Sequence, residues 1–173
     1  MHVGILSQQL LQRGHQPIVF CPNGSEIDKD ARSRGLRTID FQPKSYISCL
    51  EVARFAQALR KNKIDIIHGH YSKDLWTTVP AVKISGKIPM VFVKHIGTRK
   101  PKKDIFHRAI YKNVCHIIAI SEVIRNNILE THPVGKDKVS VNYHGVDTTR
   151  FVNARQNRDR IREEFAIRNN EFL

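Results

Sequence analysis

Four short runs in this sequence end an apolar stretch with histidine, serine or glycine: His68-Gly69-His70, His95-Ile96-Gly97, Ser121-Glu122 and His144-Gly145. An imidazole in such a place can hydrogen-bond a hydroxyl or a developing charge. A serine that opens a helix leaves free N–H groups and a positive dipole end beside it, which suits phosphate. His68 and His70 alternate along an apolar run, so on a strand they share one side and could ligate a metal. No third ligand lies near them, and no metal is expected. Ser121 reads better as a helix cap than as a nucleophile, because no GxSxG elbow surrounds it. The chain has no GxGxxG and no Walker A lysine loop, which argues against dinucleotide binding and P-loop hydrolysis.

These residues need elements to position them, and the pattern supplies a regular alternation. Residues 3–13 have near-helical apolar spacing and stop at Gly14. Pro17–Cys21 reads as a buried strand, 26–34 as a short charged helix, and Thr38–Phe41 as a strand. Residues 47–61 read as an amphipathic helix with Ile47, Leu50, Val52, Phe55, Ala58 and Leu59 inward. Ile64–His70 is a buried strand, followed by a helix over 74–85 that Asp74 or Ser72 would cap and Pro80 would disturb. Pro89–His95 is the next strand. A basic loop, Arg99–Lys103, leads to a helix over 104–113 capped by Asp104. Its apolar face is Ile105, Phe106, Ala109, Ile110 and Val114. His116–Ile120 and Val139–Asn142 are strands around a helix over 122–131. Near-continuous β-branched strands alternating with helices argue for an α/β, Rossmann-like three-layer fold with a mainly parallel sheet. In such a sheet, ligands bind outside the carboxyl ends of the strands, where the four polar runs fall.

The last strand runs into the string VSVNYHGVDTTRF, residues 139–151. Gly145 permits a sharp or positive-φ turn. Asp147 offers a short carboxylate for an Asx-turn, and Phe151 can pin the exit of the chain. From Arg155 to Glu164 the composition becomes charged and helical.

The 173 residues suffice for one domain with a real core. Twenty-nine Lys+Arg against 16 Asp+Glu give a net charge of +13, which favours anionic partners such as phosphate-bearing molecules, acidic lipid or nucleic acid. Tyr and Phe fall on core faces rather than interleaving with the basic run, so a specific nucleic-acid platform is not expected. Cys21, Cys49 and Cys115 have no CxxC spacing and read as buried free thiols of a reducing cytosol. No apolar run reaches the length of a membrane span, and no basic-then-apolar leader opens the chain.

Five strings, in order and spacing, carry a resemblance. LLQRGHQPIVFCP is similar to a helix-to-strand passage written L…RGHeV.v…p. KNKIDIIHGHYS resembles rPDIvHaH, and IPMVFVKHIGT resembles iP.v.t.Hg. HIIAISEVIRNNIL resembles d.viavSe, and KVSVNYHGVDTTRF resembles ki.vi.NGVD..rF. Together they look like the N-terminal, acceptor-side domain of a family-4 retaining glycosyltransferase with the GT-B fold. The resemblance implies a glycosyltransferase domain over 1–152, then a linker helix and the start of a C-terminal donor-binding domain over 153–173. It implies a nucleotide-sugar donor, a cell-envelope glycan or glycolipid acceptor, no metal cofactor, and a cytoplasmic location with peripheral contact at an anionic membrane. By the same resemblance His95 is catalytic, and His70, Ser121, Gly145 and Asp147 bind substrate.

Three departures accompany it. His144 stands where the family has asparagine before the glycine. The family's first strand and its glycine-rich loop have no counterpart, and that strand normally lies mid-sheet. The donor domain's paired acidic residues are also lacking, so the chain is expected to be inactive alone. The competing reading is a non-catalytic basic α/β module that binds an anionic glycan, lipid or nucleic acid. For the basic loop and its helix, a solvated loop beside a core-facing helix is the favoured expectation over a membrane-docking surface.

Overall fold

The computed structural model describes residues 2–43, 48–86, 88–146, 148–151, 154–168 and 170–171. The elements alternate as read from the sequence: α1 (His2–Gln12), β1 (Ile18–Cys21), α2 (Glu26–Ser33), β2 (Arg37–Asp40), α3 (Cys49–Lys61), β3 (Ile67–Gly69), α4 (Leu75–Ser85), β4 (Met90–Lys94), α5 (Ile105–Tyr111), β5 (His116–Ala119), α6 (Glu122–Thr131), β6 (Val139–Val141) and α7 (Ala154–Glu164). Every strand pairing is parallel, as the β-branched runs foretold. The chain divides into two compact units, Met1–Asn142 and Tyr143–Leu173. The boundary expected between residues 152 and 153 lies outside the described residues.

Within the first unit the described strands form two sheets, β1-β2 and β3-β4-β5-β6. Among the described residues no hydrogen-bonded pairing joins the two sheets. Side chains bridge the break. Phe20 of β1 and Ile67 of β3 pack against one cluster on α3 and α4, built on Val52, Phe55, Leu59 and Ala81. The Phe41 ring stacks on Phe55 at 4.3 Å. A larger core under α4, α5 and α6 centres on Phe92 and Met90 of β4 and Ile117 of β5. Burying a side chain the size of Phe92 contributes about 2–3 kcal/mol, so this four-stranded half holds most of the apolar driving force.

Helix starts follow short polar side chains. Ser25 Oγ accepts from Asp28 N, Asp104 Oδ1 from Phe106 N and His107 N, and Ser121 Oγ from Ile124 N. Several sequence expectations need correction. Asp74 sits at the cap position of α4 but in helical backbone, with no side-chain cap bond. A carboxylate caps only from extended backbone, where it can turn back to the first N–H groups. Leu50, expected inward, is 60% exposed; Val52, Phe55, Ala56 and Leu59 fill the inner face of α3 without it. Ile47 lies outside the described residues. Ile105 and Phe106 also point outward, while Ile110, Tyr111 and Val114 are buried. Of the three cysteines only Cys21 is buried; Cys49 and Cys115 are exposed.

In the second unit a 3-10 turn, Thr148–Phe151, precedes α7. Neither His144 nor Gly145 adopts positive φ, and a Cβ on Gly145 would meet nothing within 4 Å. The turn after β6 therefore does not require left-handed backbone, and histidine at 144 carries no conformational penalty. No described helix is long and apolar enough to cross a membrane.

Candidate functional site

Period-two alternation on β3 places His68 and His70 on one side, and their rings meet. His68 Nδ1 lies 2.9 Å from His70 Nε2. Parallel pairing then brings the tip of β4 alongside β3, and His70 Nδ1 lies 3.2 Å from His95 Nε2. The rings of His70 and His95 stack at 5.5 Å and 23°. His2, in the first turn of α1, sets its ring edge-on to both, at 6.0 and 5.5 Å. Four imidazoles thus gather at the carboxyl ends of β3 and β4. Partial desolvation of the ring, with nearby His2, lowers His68 from the ordinary histidine value.

The proton count of the chain His68–His70–His95 is informative. Two ring-to-ring bonds use one N–H each, so three neutral rings satisfy them. One extra proton on His70 is also accommodated, since its two N–H groups then donate to both neighbours. A second proton on a flanking ring sets donor against donor and breaks a bond. Among the described residues no group of three or more His, Cys, Asp or Glu side chains is placed to hold a metal ion. Both nitrogens of His70 already face other imidazoles.

The loop after His95 is fixed rather than free. Thr98 N donates to Asn127 Oδ1 at 2.7 Å, and Asn127 Nδ2 donates to Thr98 O at 3.1 Å. Lys102 N donates to Thr131 O at 2.7 Å. The loop is therefore laced along α6 by two helix residues one turn apart. Register places Ala119 of β5 beside Lys94 of β4, so Ser121 stands two residues beyond, at the same sheet edge. Its hydroxyl is occupied as the cap of α6, as the sequence indicated. The next N–H groups of the first turn remain available to an anion.

Two buried basic side chains, Lys94 at the end of β4 and His132 after α6, were not singled out by the sequence. Lys94 is 7% exposed and donates from Nζ to Ser72 Oγ at 3.2 Å. Burial, reinforced by Lys102, pulls its amine down to about 8. His132 is 2% exposed, and its ring bonds Thr131 Oγ1 through Nδ1. Its Nε2 has no hydrogen-bond partner. Burial first, and then Lys94, Lys102 and His107, lower it to about 3. At the start of α4, burial raises the Asp74 carboxyl to about 6. A lysine at the end of an apolar strand and a histidine after a helix carry no spacing signal, so sequence alone passed over both.

The structure brings together His70 and His95 of the expected site residues and sets Ser121 at the same edge. Gly145 belongs to the second unit, and Asp147 lies outside the described residues. Asn127, His2 and His68 join the site without having been singled out for it. Only the shared side of His68 and His70 was legible beforehand.

Comparison with known proteins gives a consistent result. No curated protein matches this chain. A glycosyltransferase from Rickettsia africae ESF-5, known from a crystal structure, superposes with a TM-score of 0.79 at 19% identity, over 96% of this chain and 46% of that one. The chain thus spans under half the length of that structure, and the likeness speaks to fold. The family model described as Glycosyltransferase Family 4 matches residues 1–150. The α/β Rossmann-like fold and the match across most of its length agree: the chain belongs to glycosyltransferase family 4.

Proposed function

We propose that this chain is the acceptor-side half of a retaining glycosyltransferase, one that moves a sugar from a nucleotide-sugar donor to a cell-envelope glycan or glycolipid. The observation that carries the reading is the His68–His70–His95 imidazole chain at the strand tips of a family-4 domain. In this reading His95 is the catalytic residue: its ring hydrogen-bonds the transferring sugar as charge develops. His70 holds the His95 ring in place and touches the acceptor. Ser121 joins them through the start of α6; Gly145 and Asp147 are further substrate-binding residues that the family resemblance assigns. Nucleotide sugar is a substrate here, and no metal cofactor is invoked. The enzyme works in the cytoplasm, peripherally at the inner face of an anionic membrane.

The chain spans 46% of the length of the glycosyltransferase it superposes on, and in this reading that stretch by itself binds acceptor but does not transfer. The test has two arms. Calorimetric titration with candidate glycan and glycolipid acceptors should give saturable binding that His70→Ala and His95→Ala each weaken at least tenfold, roughly the loss of one hydrogen bond to a sugar hydroxyl. Incubation with labelled nucleotide sugars and acceptor should give no product. Transfer by the chain alone would refute the half-enzyme reading. Binding that tracks only charge and vanishes in salt would favour a polyanion-binding module instead.

A further inference from the structure

Met90, Phe92 and Lys94 alternate along β4 and are all buried. The first two belong to the core that also holds Tyr111 of α5 and Ile128 of α6. Lys94 therefore closes the core-facing stripe, and His95 belongs to the other side. His132 meets the same core, its ring edge-on to Tyr111 at 5.0 Å. Its neighbours fix its tautomer. Thr131 Oγ1 donates its only proton to Asn127 O at 2.6 Å, so it accepts from His132 Nδ1–H at 2.8 Å. The neutral ring then presents Nε2 as a lone pair, and that atom is buried with no hydrogen-bond partner. Lys102 is joined to the same place through its N–H bond to Thr131 O. Lys94 Nζ donates to Ser72 Oγ, which leaves the serine proton to donate onward. Among the described residues no carboxylate pairs with Lys94, Lys102 or His132; Asp104 is engaged by His107. The basic groups nevertheless act on one another. After burial, Lys102 is what lowers the Lys94 amine, and Lys94 and then Lys102 lower the His132 ring. Burying cations without a counter-ion costs free energy, and an orphaned buried lone pair adds to it.

We propose that Lys94, Lys102, Ser72 and His132 form a binding site for a protonated oxyanion, inorganic phosphate. Its charged oxygens accept from the two ammonium groups and the Ser72 hydroxyl. Its P–OH donates to His132 Nε2, so one ion answers both the unbalanced charge and the orphaned lone pair. Sulfate carries no proton at neutral pH and would set an oxygen lone pair against the nitrogen lone pair. A metal ion would suit Nε2 but would be repelled by two ammonium groups. Ser72 and Lys102 are half-buried rather than sealed, so a small ion has a way in. The site lies on the core side of β4, apart from the imidazole chain, and does not depend on the transferase reading.

Isothermal titration of the whole chain at neutral pH tests it, with sodium phosphate as titrant and chloride holding the ionic strength constant. Phosphate should bind saturably at one site, and sulfate at least about tenfold more weakly. K94M and His132→Phe should each weaken phosphate binding about tenfold or more. Lys100→Ala, at an exposed lysine of the basic loop, should leave it unchanged. Glycerol phosphate should bind more weakly than free phosphate, because Lys94 and His132 are too buried to admit the ester group. Phosphate should also raise the urea midpoint of the parent and leave that of K94M where it stands, which separates loss of the site from loss of the fold. The proposal is overturned if phosphate does not bind, or if sulfate or the ester binds as well as phosphate. It is also overturned if K94M and His132→Phe bind as the parent does, which is general adsorption to a basic surface. The titrants carry no sugar, so failure here leaves acceptor binding untouched. Loss of acceptor binding with phosphate binding intact would instead remove the transferase reading and leave this site standing.

Discussion

Replacing Lys94 with methionine should make this chain more stable. Lys94 is 7% exposed at the tip of β4, with a single side-chain bond, to Ser72. Burial pulls its amine from 10.5 to about 8, so the folded chain holds that proton less tightly than the unfolded chain does. The sign follows: the penalty is fully present below about pH 8 and fades as pH rises toward 10.5. Lowering the amine from 10.5 to about 8 corresponds to about 3 kcal/mol of destabilisation at neutral pH. Methionine keeps the buried alkyl stem and removes the charge. It also gives up the Ser72 bond, at a cost of about 1 kcal/mol, leaving a net gain of about 2 kcal/mol. Urea unfolding of parent and K94M at about pH 7 and about pH 9.5 reads this directly. The parent should gain about 2 kcal/mol between the two pH values relative to K94M. If K94M is less stable at neutral pH, or if both proteins show the same pH dependence, the reasoning fails. A buried lysine next to His95 in sequence is therefore a cost to folding.

Other predictions concern the same region. His132, held near 3 by burial and its basic neighbours, binds a proton more weakly folded than unfolded, so stability falls as pH drops below about 6.5. His132→Phe keeps a ring on Tyr111, 5.0 Å away, and should flatten that acid limb in urea titrations; an unchanged limb would refute the assignment. Asn127→Ala removes both bonds to the Thr98 backbone and should cost about 1–3 kcal/mol, with faster hydrogen exchange at the Thr98 amide. Ser121→Ala should cost about 1 kcal/mol through the lost cap, whereas Ser121→Thr should cost little; equal losses would mean that the hydroxyl is not acting as a cap.

Much of the fold was legible because parallel strands buried on both faces write long β-branched runs, and short polar residues mark where helices begin. Helix faces were harder to read. Apolar spacing on α5 puts Ile105 and Phe106 near the same stripe as Ile110, but a seven-residue helix presents only part of its circumference to the core. Which part depends on α4 and α6, and local sequence does not encode that. Leu50 was misread for the same reason. At the site, period-two alternation exposed the His68–His70 pair, and the rule for parallel sheets located the edge where His95 and Ser121 fall. The bond between His70 and His95 needed β3 and β4 to be neighbours in register, which is a tertiary fact. Lys94 and His132 stayed hidden because burial, not residue type, makes them unusual.

The most direct test of the account is the imidazole signals of the whole chain in a nitrogen-15 correlation spectrum during titration with a glycan or glycolipid acceptor. The account predicts that His70 and His95 shift together and saturably, with His68 following. His116 should stay still, because it bonds Ser140 at the opposite end of the strands. Histidine signals that do not move, or that move only in a way added salt abolishes, would contradict the placement of the acceptor at these strand tips.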